Sequence, residues 1–393
     1  MRILHVTKRY WPFQGGVERY VEDLAQGQAA RGHDVTVLSI DRDVLRTTPG
    51  RLPRTEEQGA VHVRRVRASG GPRKQFLVEP PADVLRLLRE ADVVHHHDPR
   101  FVFELAVATR RIVGKPLLVH THGLILHTRD FHRVKSVLLR LYYGPVFGHL
   151  VAGVIADSES DRLTLRNACR VPDERIHVFL NALDLRSFRN IERNPEPGRL
   201  LVFGRIDRHK GHADLFRALA TVDGPWELDV VGGGPESLVA ELRGIATGLG
   251  IGSRVHWHGQ VDSDVLVAML SRSWLVCFPS HFEGFGLALV EAMACGCNLL
   301  VSDLPTHREI LGDGLSDRIV DFTDPTAPDR VRDALRRPAT AMRSDEERVR
   351  SRAERFSIGR LVDQLEGLYS DLGLSAGSAV NAGNSPRFER KLD

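Results

Sequence analysis

Short apolar runs alternate with longer amphipathic stretches along most of the chain. In the first half, buried-strand patterns lie at 2–7, 34–40, 61–66, 92–97, 116–123, 153–158 and 175–180, and helical patterns lie at 17–30, 82–91, 101–112 and 133–143. The second half repeats this order, with strands at 200–205, 227–232, 255–259, 275–280 and 298–303 and helices at 212–220, 237–250 and from about 286. Strands separated by single helices indicate parallel sheets with right-handed crossovers. The pattern therefore predicts an α/β protein with two doubly wound domains.

The alternation is interrupted at the proline-rich, polar segment RNIERNPEPGR (189–199), which is typical of a linker. Near the end of the chain, apolar residues at helical spacing predict one more helix in SIGRLVDQLEGLYSDL (357–372). The expected segments are an N-terminal domain, a C-terminal domain, a last helix that packs back toward the N-terminal domain and a flexible tail, at 1–188, 189–356, 357–375 and 376–393. Pro, Gly and charged residues are frequent at 41–58 and 68–80, so we expect loops there.

Charge and cysteine content narrow the class of protein. The 393 residues include 54 basic and 51 acidic ones, a net charge of +3, which is too balanced to indicate a nucleic-acid partner. The spacing of the four cysteines fits neither a zinc site nor a C-x-x-C redox motif, which favours reduced thiols. No apolar run approaches the length of a membrane span, and the first is shorter than a signal-peptide core. We therefore expect a cytoplasmic protein, with peripheral contact at the inner face of a membrane left open.

The loops that follow the predicted strands carry the candidate chemistry, because open parallel sheets bind ligands beyond the carboxyl ends of their strands. Gly15 and Gly16 precede a helix, whose backbone N–H groups and positive end could meet a phosphate. Arg205 and Lys210 flank the loop after the first strand of the second half, where two cations could clamp a diphosphate. An ordinary glycine turn and solvated surface cations are the alternative interpretation.

The stretch SHFEGFGLALVEAMACG (280–296) combines glycines with two carboxylates around the start of a predicted helix. Phe285, Gly286 and Leu287 would offer backbone N–H groups at the helix entry. Because carboxylates repel phosphate, Glu283 and Glu291 suit sugar hydroxyls instead, as the ribose-binding acid of dinucleotide sites does. The alternative, that Glu291 is a capping or exposed helix residue, is disfavoured by the apolar neighbours on both sides.

Histidines cluster at the ends of two predicted strands. His95 and His97 share one face of their strand, as do His120 and His122 of theirs. Such residues could act as a general acid, a general base or a polar donor. A transition-metal site is the alternative, because imidazole groups bind these ions.

Taken together, these motifs resemble the retaining glycosyltransferases of family 4, which have the GT-B fold of two doubly wound Rossmann-like domains facing a central cleft. The resemblance covers roughly residues 1–372 and is strongest in EGFGLALVEAMACG, which is similar to the family's E-x7-E motif, here Glu283 and Glu291. GGVE, DVVHHHDP, GRIDRHKG and VVGGGPE also follow the family order and spacing, at 15–18, 92–99, 204–211 and 230–236.

The resemblance implies that the second domain binds a nucleotide-sugar donor and that the first binds a glycan, glycolipid or small-molecule acceptor. Arg205 and Lys210 would hold the diphosphate and neutralise it as it leaves. The loop of Gly15 and Gly16 would close over the same phosphates. His122 would lie near the reacting carbon.

The other implied contacts are to the sugars and the base of the donor. Glu291 would hydrogen-bond the ribose hydroxyls, and Glu283 would hydrogen-bond the hydroxyls of the transferred sugar. Backbone around Gly259 and Val261 would face the base. His122 and Glu283 are thus the expected catalytic residues. Because Glu283 is assigned to hydroxyls, we expect a same-face displacement rather than the covalent intermediate of retaining glycosidases.

The resemblance implies no metal and no other cofactor. Glycosyltransferases of the other major fold bind a divalent ion through a D-x-D motif, but the two such motifs here, at 41–43 and 262–264, are not associated with the phosphate features. Arg205 and Lys210 would supply the positive charge instead, so we expect activity in a chelator.

One segment departs from the family pattern. In NALDLRSF (181–188), Ala182 replaces the glycine of the usual N-G-V-D, which would be strained if that position needs a positive φ. Three other functions stay open: a nucleotide-sugar 2-epimerase, which needs no acceptor, a sugar-nucleotide-binding protein without turnover, and a hydrolase that uses the histidines as metal ligands.

Overall fold

The computed structural model describes residues 1–13, 15–42, 50–70, 75–77, 82–97, 113–122, 141, 144–189, 191–283 and 285–373, without the side chains of 68–70, 75–77, 148, 149 and 160. Three predicted segments lie outside the described residues: the helix at 101–112, all but one residue of the helix at 133–143, and the tail at 376–393. Elements are numbered below in chain order.

The first half contains strands and helices in alternation. Its strands, numbered β1 to β10, are Arg2–Val6, Asp34–Ile40, Thr55–Gln58, Val61–Val66, Ala68–Gly70, Gln75–Leu77, Val93–His97, Leu117–His120, Gly153–Ala156 and Ile176–Val178. Its helices, numbered α1 to α5, are Gly16–Ala30, Ala82–Glu90, Gly144–His149, Glu159–Asn167 and Arg186–Arg189.

The second half continues the alternation. Its strands, numbered β11 to β16, are Arg199–Phe203, Glu227–Val231, Val255–Gly259, Leu275–Phe278, Leu299–Ser302 and Ile319–Val320. Its helices, numbered α6 to α13, are His212–Ala220, Glu236–Gly248, Ser263–Arg272, Leu287–Ala294, Pro305–Leu311, Ala327–Leu335, Ala339–Ala353 and Ile358–Asp371. Short 3-10 turns lie at Asp173–Arg175, Arg208–Lys210, Gly252–Arg254, Asp313–Arg318 and Glu354–Phe356. Within the described part of the chain, every helix is too short or too polar to cross a membrane.

Each half builds its own sheet, which confirms the predicted α/β fold. The first sheet has the strand order β10–β9–β8–β7–β1–β2–β4–β3 and is parallel except for the edge pair of β3 and β4. The second has the order β13–β12–β11–β14–β15–β16 and is parallel throughout. The order reverses at β1 in one sheet and at β11 in the other, and ligand clefts form at such reversals.

Most predicted elements agree with the structure within two residues, but the two predicted loops at 41–58 and 68–80 contain strands. Thr55–Gln58 is a polar edge strand that pairs antiparallel with Val61–Val66 through a tight turn. Ala68–Gly70 pairs with Gln75–Leu77 in the same way. The pattern missed them because an edge strand exposed to water needs no apolar run, only a partner for its backbone groups.

The last helix, α13, leaves the second half and packs on the first. Its apolar stripe is buried with α1 and with the strands β1 and β2, through Leu361, Val362, Leu365, Leu368 and Tyr369. Burial of each such side chain contributes roughly 1.5–3 kcal/mol to the free energy of unfolding. The backbone at Leu183, in the connection between the halves, also bonds to both sides of Ser357. The end of the chain thus links the two halves close to their junction.

Candidate active site

A cleft of about 380 Å³ lies where the carboxyl ends of the two sheets meet. Eight of the residues predicted for the site line it: Gly16, His122, Arg205, Lys210, Glu283, Phe285, Gly286 and Leu287. Six further lining residues were not predicted: Val17, Tyr20, Asp157, Asn181, Gly204 and Ala288. The other predicted residues, Gly15, Gly259, Val261 and Glu291, are not part of this lining.

The wall from the second half combines two cations with a carboxylate. Lys210, in the turn after β11, forms an ion pair with Glu283, which also accepts a hydrogen bond from Ser280 Oγ (3.1 Å). Thr306 Oγ1 donates to the backbone carbonyl of Glu283 and fixes its loop. Arg205 is exposed to the cleft and makes no ion pair with any residue that the structure describes. A negatively charged ligand could therefore bind Arg205 without breaking an ion pair of this residue.

Helix α9 begins at the same wall. Its N-cap Gly286 has φ 94°, a conformation that glycine adopts without strain. The first intrahelical bonds are donated by Leu289 and Val290, both to the carbonyl of Gly286. The N–H groups of Leu287 and Ala288 come before them and, with the positive end of the helix, suit an anion in the cleft.

Glu291 lies behind this wall, with its side chain 8% exposed. Arg19 Nη1, from α1 of the first half, donates to Glu291 Oε1 (2.9 Å), so an ion pair joins the two halves. Burial raises the pKa of Glu291, and Arg19 opposes this rise. Glu291 is therefore buried and paired rather than an exposed helix residue, and its ribose contact stays a prediction.

The glycine loop after β1 is shaped by Glu18. Arg9 Nε donates to Glu18 Oε1 (2.6 Å), and the carboxylate folds back over Gly15, where an added Cβ would overlap Oε2. Gly16, which starts α1, is the glycine that reaches the cleft. A phosphate at this end of α1 would thus meet Gly16 and Val17 first.

Close backbone packing brings the loops after β11 and β12 together. A Cβ on Gly232 would overlap the carbonyl oxygen of Gly204. Gly259, at the end of β13, has φ 66° and accepts a hydrogen bond from the N–H of Gly232 (2.7 Å). Val261 is half-buried against the core. Gly259 and Val261 thus adjoin this glycine loop, and their contact with a base stays a prediction.

The rings of the histidines on β7 and at the end of β8 stack in pairs, which agrees with the prediction that each pair shares one face of its strand. The ring centroids of His95 and His97 are 4.3 Å apart at 23°, and those of His120 and His122 are 4.0 Å apart at 17°. His122 itself has φ 42°, a backbone conformation that only firm surroundings maintain for a non-glycine residue. The rings of Tyr20 and His122 pack edge to face, with their centroids 5.0 Å apart.

Nitrogen atoms of two histidine triplets approach within 4.8 Å: His5, His95 and His97, and His97, His120 and His122. Each triplet contains a closely stacked pair, however: His95 with His97 in the first and His120 with His122 in the second. An imidazole lone pair lies in the plane of its ring, so nearly parallel stacked rings point their lone pairs side by side rather than at a common ion. Two of the contacts are at hydrogen-bond distance, 2.9 Å from His5 Nδ1 to His97 Nε2 and 2.9 Å from His97 Nδ1 to His122 Nε2, and a site without a metal stays a prediction.

Asp157 and Asn181 are the polar lining residues that the sequence interpretation missed. Asp157 directly follows β9, and Asn181 is the first residue of the NALD segment. Both positions could therefore have been predicted to lie near the cleft. Burial would raise the pKa of Asp157, but His120, bonded at 2.5 Å, holds it below its usual value together with His122 and Asn181. An ionised carboxylate therefore stands beside His122.

The anticipated strain at Ala182 is absent. Within the described residues, the positive φ values of non-glycine residues are those of His122 and Arg170. Ala182 is buried with α13 residues, where its methyl group fills space in the core.

Comparison with known proteins agrees with this architecture. The family described as Glycosyltransferase Family 4 matches residues 14–187, and the one described as Glycosyl transferases group 1 matches residues 185–353. The structure of Anabaena HepE in complex with UDP and glucose shares the fold, with a TM-score of 0.72 at 20% identity over 94% of this chain and 100% of that chain.

Two curated relatives are similar over most of their length. A GDP-mannose:cellobiosyl-diphosphopolyprenol alpha-mannosyltransferase of Xanthomonas campestris is 30% identical over 311 residues, which are 78% of this chain and 79% of that protein. The enzyme of the same name from Komagataeibacter xylinus is 28% identical over 381 residues, 93% of this chain and 94% of that protein. The chain therefore belongs to the family-4 type of glycosyltransferases with the GT-B fold.

Proposed function

We propose that this glycosyltransferase moves a sugar from a nucleoside diphosphate sugar to an acceptor hydroxyl, with retention of anomeric configuration and with no metal at the diphosphate. The observation that carries the proposal is the wall on which Arg205, Lys210 and the start of α9 adjoin Glu283. Cations and helix N–H groups suit a diphosphate, and the neighbouring carboxylate suits the hydroxyls of the sugar attached to it. One wall thus offers partners on both sides of the bond that breaks.

Stabilisation of the leaving group is the main contribution expected from this wall. Breaking the bond between the anomeric carbon and the phosphate leaves a more negative diphosphate and an oxocarbenium-like sugar. Fixed positive groups aimed at developing charge lower such barriers the most. Lys210 would exchange Glu283 for the diphosphate, and Glu283 would then accept hydrogen bonds from the sugar.

Retention is proposed without a covalent intermediate. A glycosidase-type route needs a carboxylate that attacks the anomeric carbon. In the donor complex Glu283 would accept hydrogen bonds from Ser280 and from the hydroxyls of the sugar, and these bonds lower its nucleophilicity. In the proposed step the acceptor oxygen attacks from the face that the diphosphate leaves, and the departing phosphate oxygen takes the proton of the acceptor.

The relatives suggest which substrates to test first. Their names state a GDP-mannose donor and a diphosphopolyprenol-linked acceptor. We therefore propose GDP-mannose as the first donor and a polyprenol diphosphate glycan as the first acceptor. Ribose and sugar contacts by Glu291 and Glu283 are compatible with any nucleoside diphosphate hexose, so the base must be found by experiment.

A donor panel tests the proposal. Nucleotide sugars are first ranked by thermal shift, since a ligand at 100 times its dissociation constant adds about 2.7 kcal/mol of stability. Release of the nucleoside diphosphate is then measured with and without acceptor, in the presence of EDTA. Release that requires the acceptor and persists in EDTA supports the proposal. A new sugar epimer formed without acceptor would indicate the epimerase, binding without turnover the binding protein, and loss of activity in EDTA a metal-dependent reaction.

A further inference from the structure

A chain of hydrogen bonds runs from the last helix through the interior to the cleft. Gln28 Nε2, on α1, donates to Tyr369 Oη of α13 (3.1 Å), and Gln28 Oε1 lies 2.6 Å from His5 Nε2. His5 Nδ1 is 2.9 Å from His97 Nε2, and His97 Nδ1 is 2.9 Å from His122 Nε2. All of these side chains except that of His122 are sealed from solvent. These hydrogen bonds connect Tyr369, which lies 341 residues from Gln28 in the sequence, to the histidine that lines the cleft.

The amide of Gln28 gives this chain one direction. Its Oε1 can only accept, so His5 Nε2 carries hydrogen. Burial lowers the pKa of His5 to about 4, which keeps the ring neutral and leaves Nδ1 to accept from His97 Nε2. Burial and the neighbouring histidines lower the pKa of His97 well below its usual value, so its Nδ1 in turn accepts from His122 Nε2.

We infer that Gln28, acting through His5 and His97, is a positioning residue that fixes the hydrogen of His122 on Nε2. The nitrogen of His122 next to Asp157 is then an acceptor: its Nδ1 lies 4.0 Å from Asp157 Oδ2, too far for a direct hydrogen bond. Both residues line the cleft, so a substrate hydroxyl there could donate its one hydrogen to His122 Nδ1. The inference rests on the proposed function, in which that hydroxyl belongs to a sugar or an acceptor.

The series of hydrogen bonds from Gln28 through His5 and His97 to His122, called the relay below, matters because Asp157 favours the other tautomer of His122. A carboxylate next to a neutral imidazole stabilises hydrogen on the nearer nitrogen, here Nδ1. Gln28 opposes this preference from the far end of the chain. A hydrogen on Nδ1 would turn His122 from an acceptor into a donor, so that His122 could no longer accept the hydrogen of a substrate hydroxyl.

Nuclear magnetic resonance of the full chain labelled with ¹⁵N-histidine measures the tautomers directly, because long-range ¹H–¹⁵N correlations distinguish a protonated ring nitrogen from a bare one. Single histidine substitutions assign the signals among the 18 histidines. We expect His5, His97 and His122 all to carry hydrogen on Nε2. Hydrogen on Nδ1 of these rings would overturn the inference.

Two variants at Gln28 separate the relay from simple packing. Gln28→Glu offers only acceptors and is expected to keep His122 protonated on Nε2, whereas Gln28→Leu is expected to move hydrogen to Nδ1. His95→Phe is the matched control: His95 stacks on His97, and its nitrogens have no hydrogen-bond partner in the described part of the chain. It should leave the His122 tautomer unchanged. An unchanged His122 tautomer in Gln28→Leu, with native melting behaviour, would refute the role of Gln28.

Kinetics then connect the tautomer to turnover. Gln28→Leu is expected to lower kcat by roughly 10- to 100-fold with little change in donor KM, as for residues that fix the tautomer of metal-bound histidines. Gln28→Glu should retain kcat within about threefold. A wild-type protein without sugar transfer would refute the proposed function while the tautomer result stands. Equal losses of kcat in both variants, with the tautomer unaltered, would refute the relay alone.

Discussion

Charged residues in the cleft and directly behind its wall form ion pairs with one another. Lys210 pairs with Glu283 within one wall, and Arg19 pairs with Glu291 across the two halves. Each pairing spares a buried carboxylate the free-energy cost of an isolated charge. Under the proposed function the donor diphosphate replaces Glu283 as the partner of Lys210, whereas Arg205 needs no such exchange.

Arg205 is expected to stabilise the departing diphosphate, so Arg205→Ala should lower kcat by roughly 10²–10³-fold, the loss typical for one oxyanion-hole donor. Steady-state transfer assays measure this change. Arg208→Ala is the matched control, because Arg208 lies on the same loop but pairs with exposed Glu241. Equal losses in both variants would mean that the loop, rather than the charge of Arg205, matters.

Arg19 opposes the burial that raises the pKa of Glu291. Arg19→Gln should raise this pKa further, so more of the carboxyl is protonated in mild acid and accepts ribose hydroxyls less well. The higher pKa should increase donor KM several-fold at acid pH, with little effect at alkaline pH. Donor KM between pH 5.5 and 8 tests this. Arg31→Gln, which removes an exposed pair with Asp363 at the far end of α1, should leave the profile unchanged; a matching change there would contradict the assignment.

Sequence reasoning found many cleft residues but not their partners. Arg205, Lys210 and Glu283 were predictable because loops at the carboxyl ends of parallel strands converge. The contact of Arg19 with Glu291 joins residues 272 positions apart, and no periodicity encodes it. The same holds for the hydrogen-bonded chain from Gln28 to His122.

Helix α9 depends on its glycine N-cap. A Cβ on Gly286 has room, with its nearest neighbour at 3.5 Å, so the penalty for Gly286→Ala comes from φ 94° alone. We expect a loss of about 1–3 kcal/mol in unfolding free energy and weaker donor binding. Urea denaturation measures the first and thermal shift with donor the second.

Gly244 provides the contrast, since it lies exposed inside α7 with nothing within 4 Å of an added Cβ. Gly244→Ala should raise the unfolding free energy by up to about 1 kcal/mol. If both alanine variants had the same effect, backbone conformation would not be the cause.

Element prediction succeeded where apolar periodicity is strong. The pattern at 212–220 matches helix α6, and those at 34–40 and 255–259 match strands β2 and β13. Helix α12 (Ala339–Ala353) escaped notice because charged residues dominate it and only Met342, Val349 and Ala353 are buried. Its helical form depends on packing against α9, which the local sequence does not show.

At the scale of the whole molecule, the buried histidines make stability depend on pH. Burial lowers the pKa of His95 and His97 well below 6.5, so between their folded pKa and 6.5 only the unfolded chain binds the proton. Above about pH 6.5 these rings do not lower the free energy of unfolding. As pH falls below about 6.5, the unfolding free energy decreases by up to about 1.4 kcal/mol per pH unit for each ring. His95→Phe should therefore show a smaller decrease in unfolding free energy between pH 7 and 5 than the wild type, by urea denaturation. His62→Asn, at an exposed histidine, is the control; parallel profiles for wild type and His95→Phe would contradict this account.

The arrangement of the two halves was predictable only in outline. Alternating strands and helices predicted two parallel sheets, and the structure has them. The covering of α1 by α13 brings Tyr369 to Gln28, a contact that depends on how the end of the chain crosses back. Sequence alone predicted a helix there without its hydrogen-bond partners.

The proposed function depends most on transfer of the sugar with retention and without a metal. Its most direct test is the anomeric configuration of the product, determined by NMR of a reaction run in EDTA with the donor and acceptor selected above. We expect a glycoside with the same anomeric configuration as the donor. A product of inverted configuration, or none until a divalent metal is added, would contradict it.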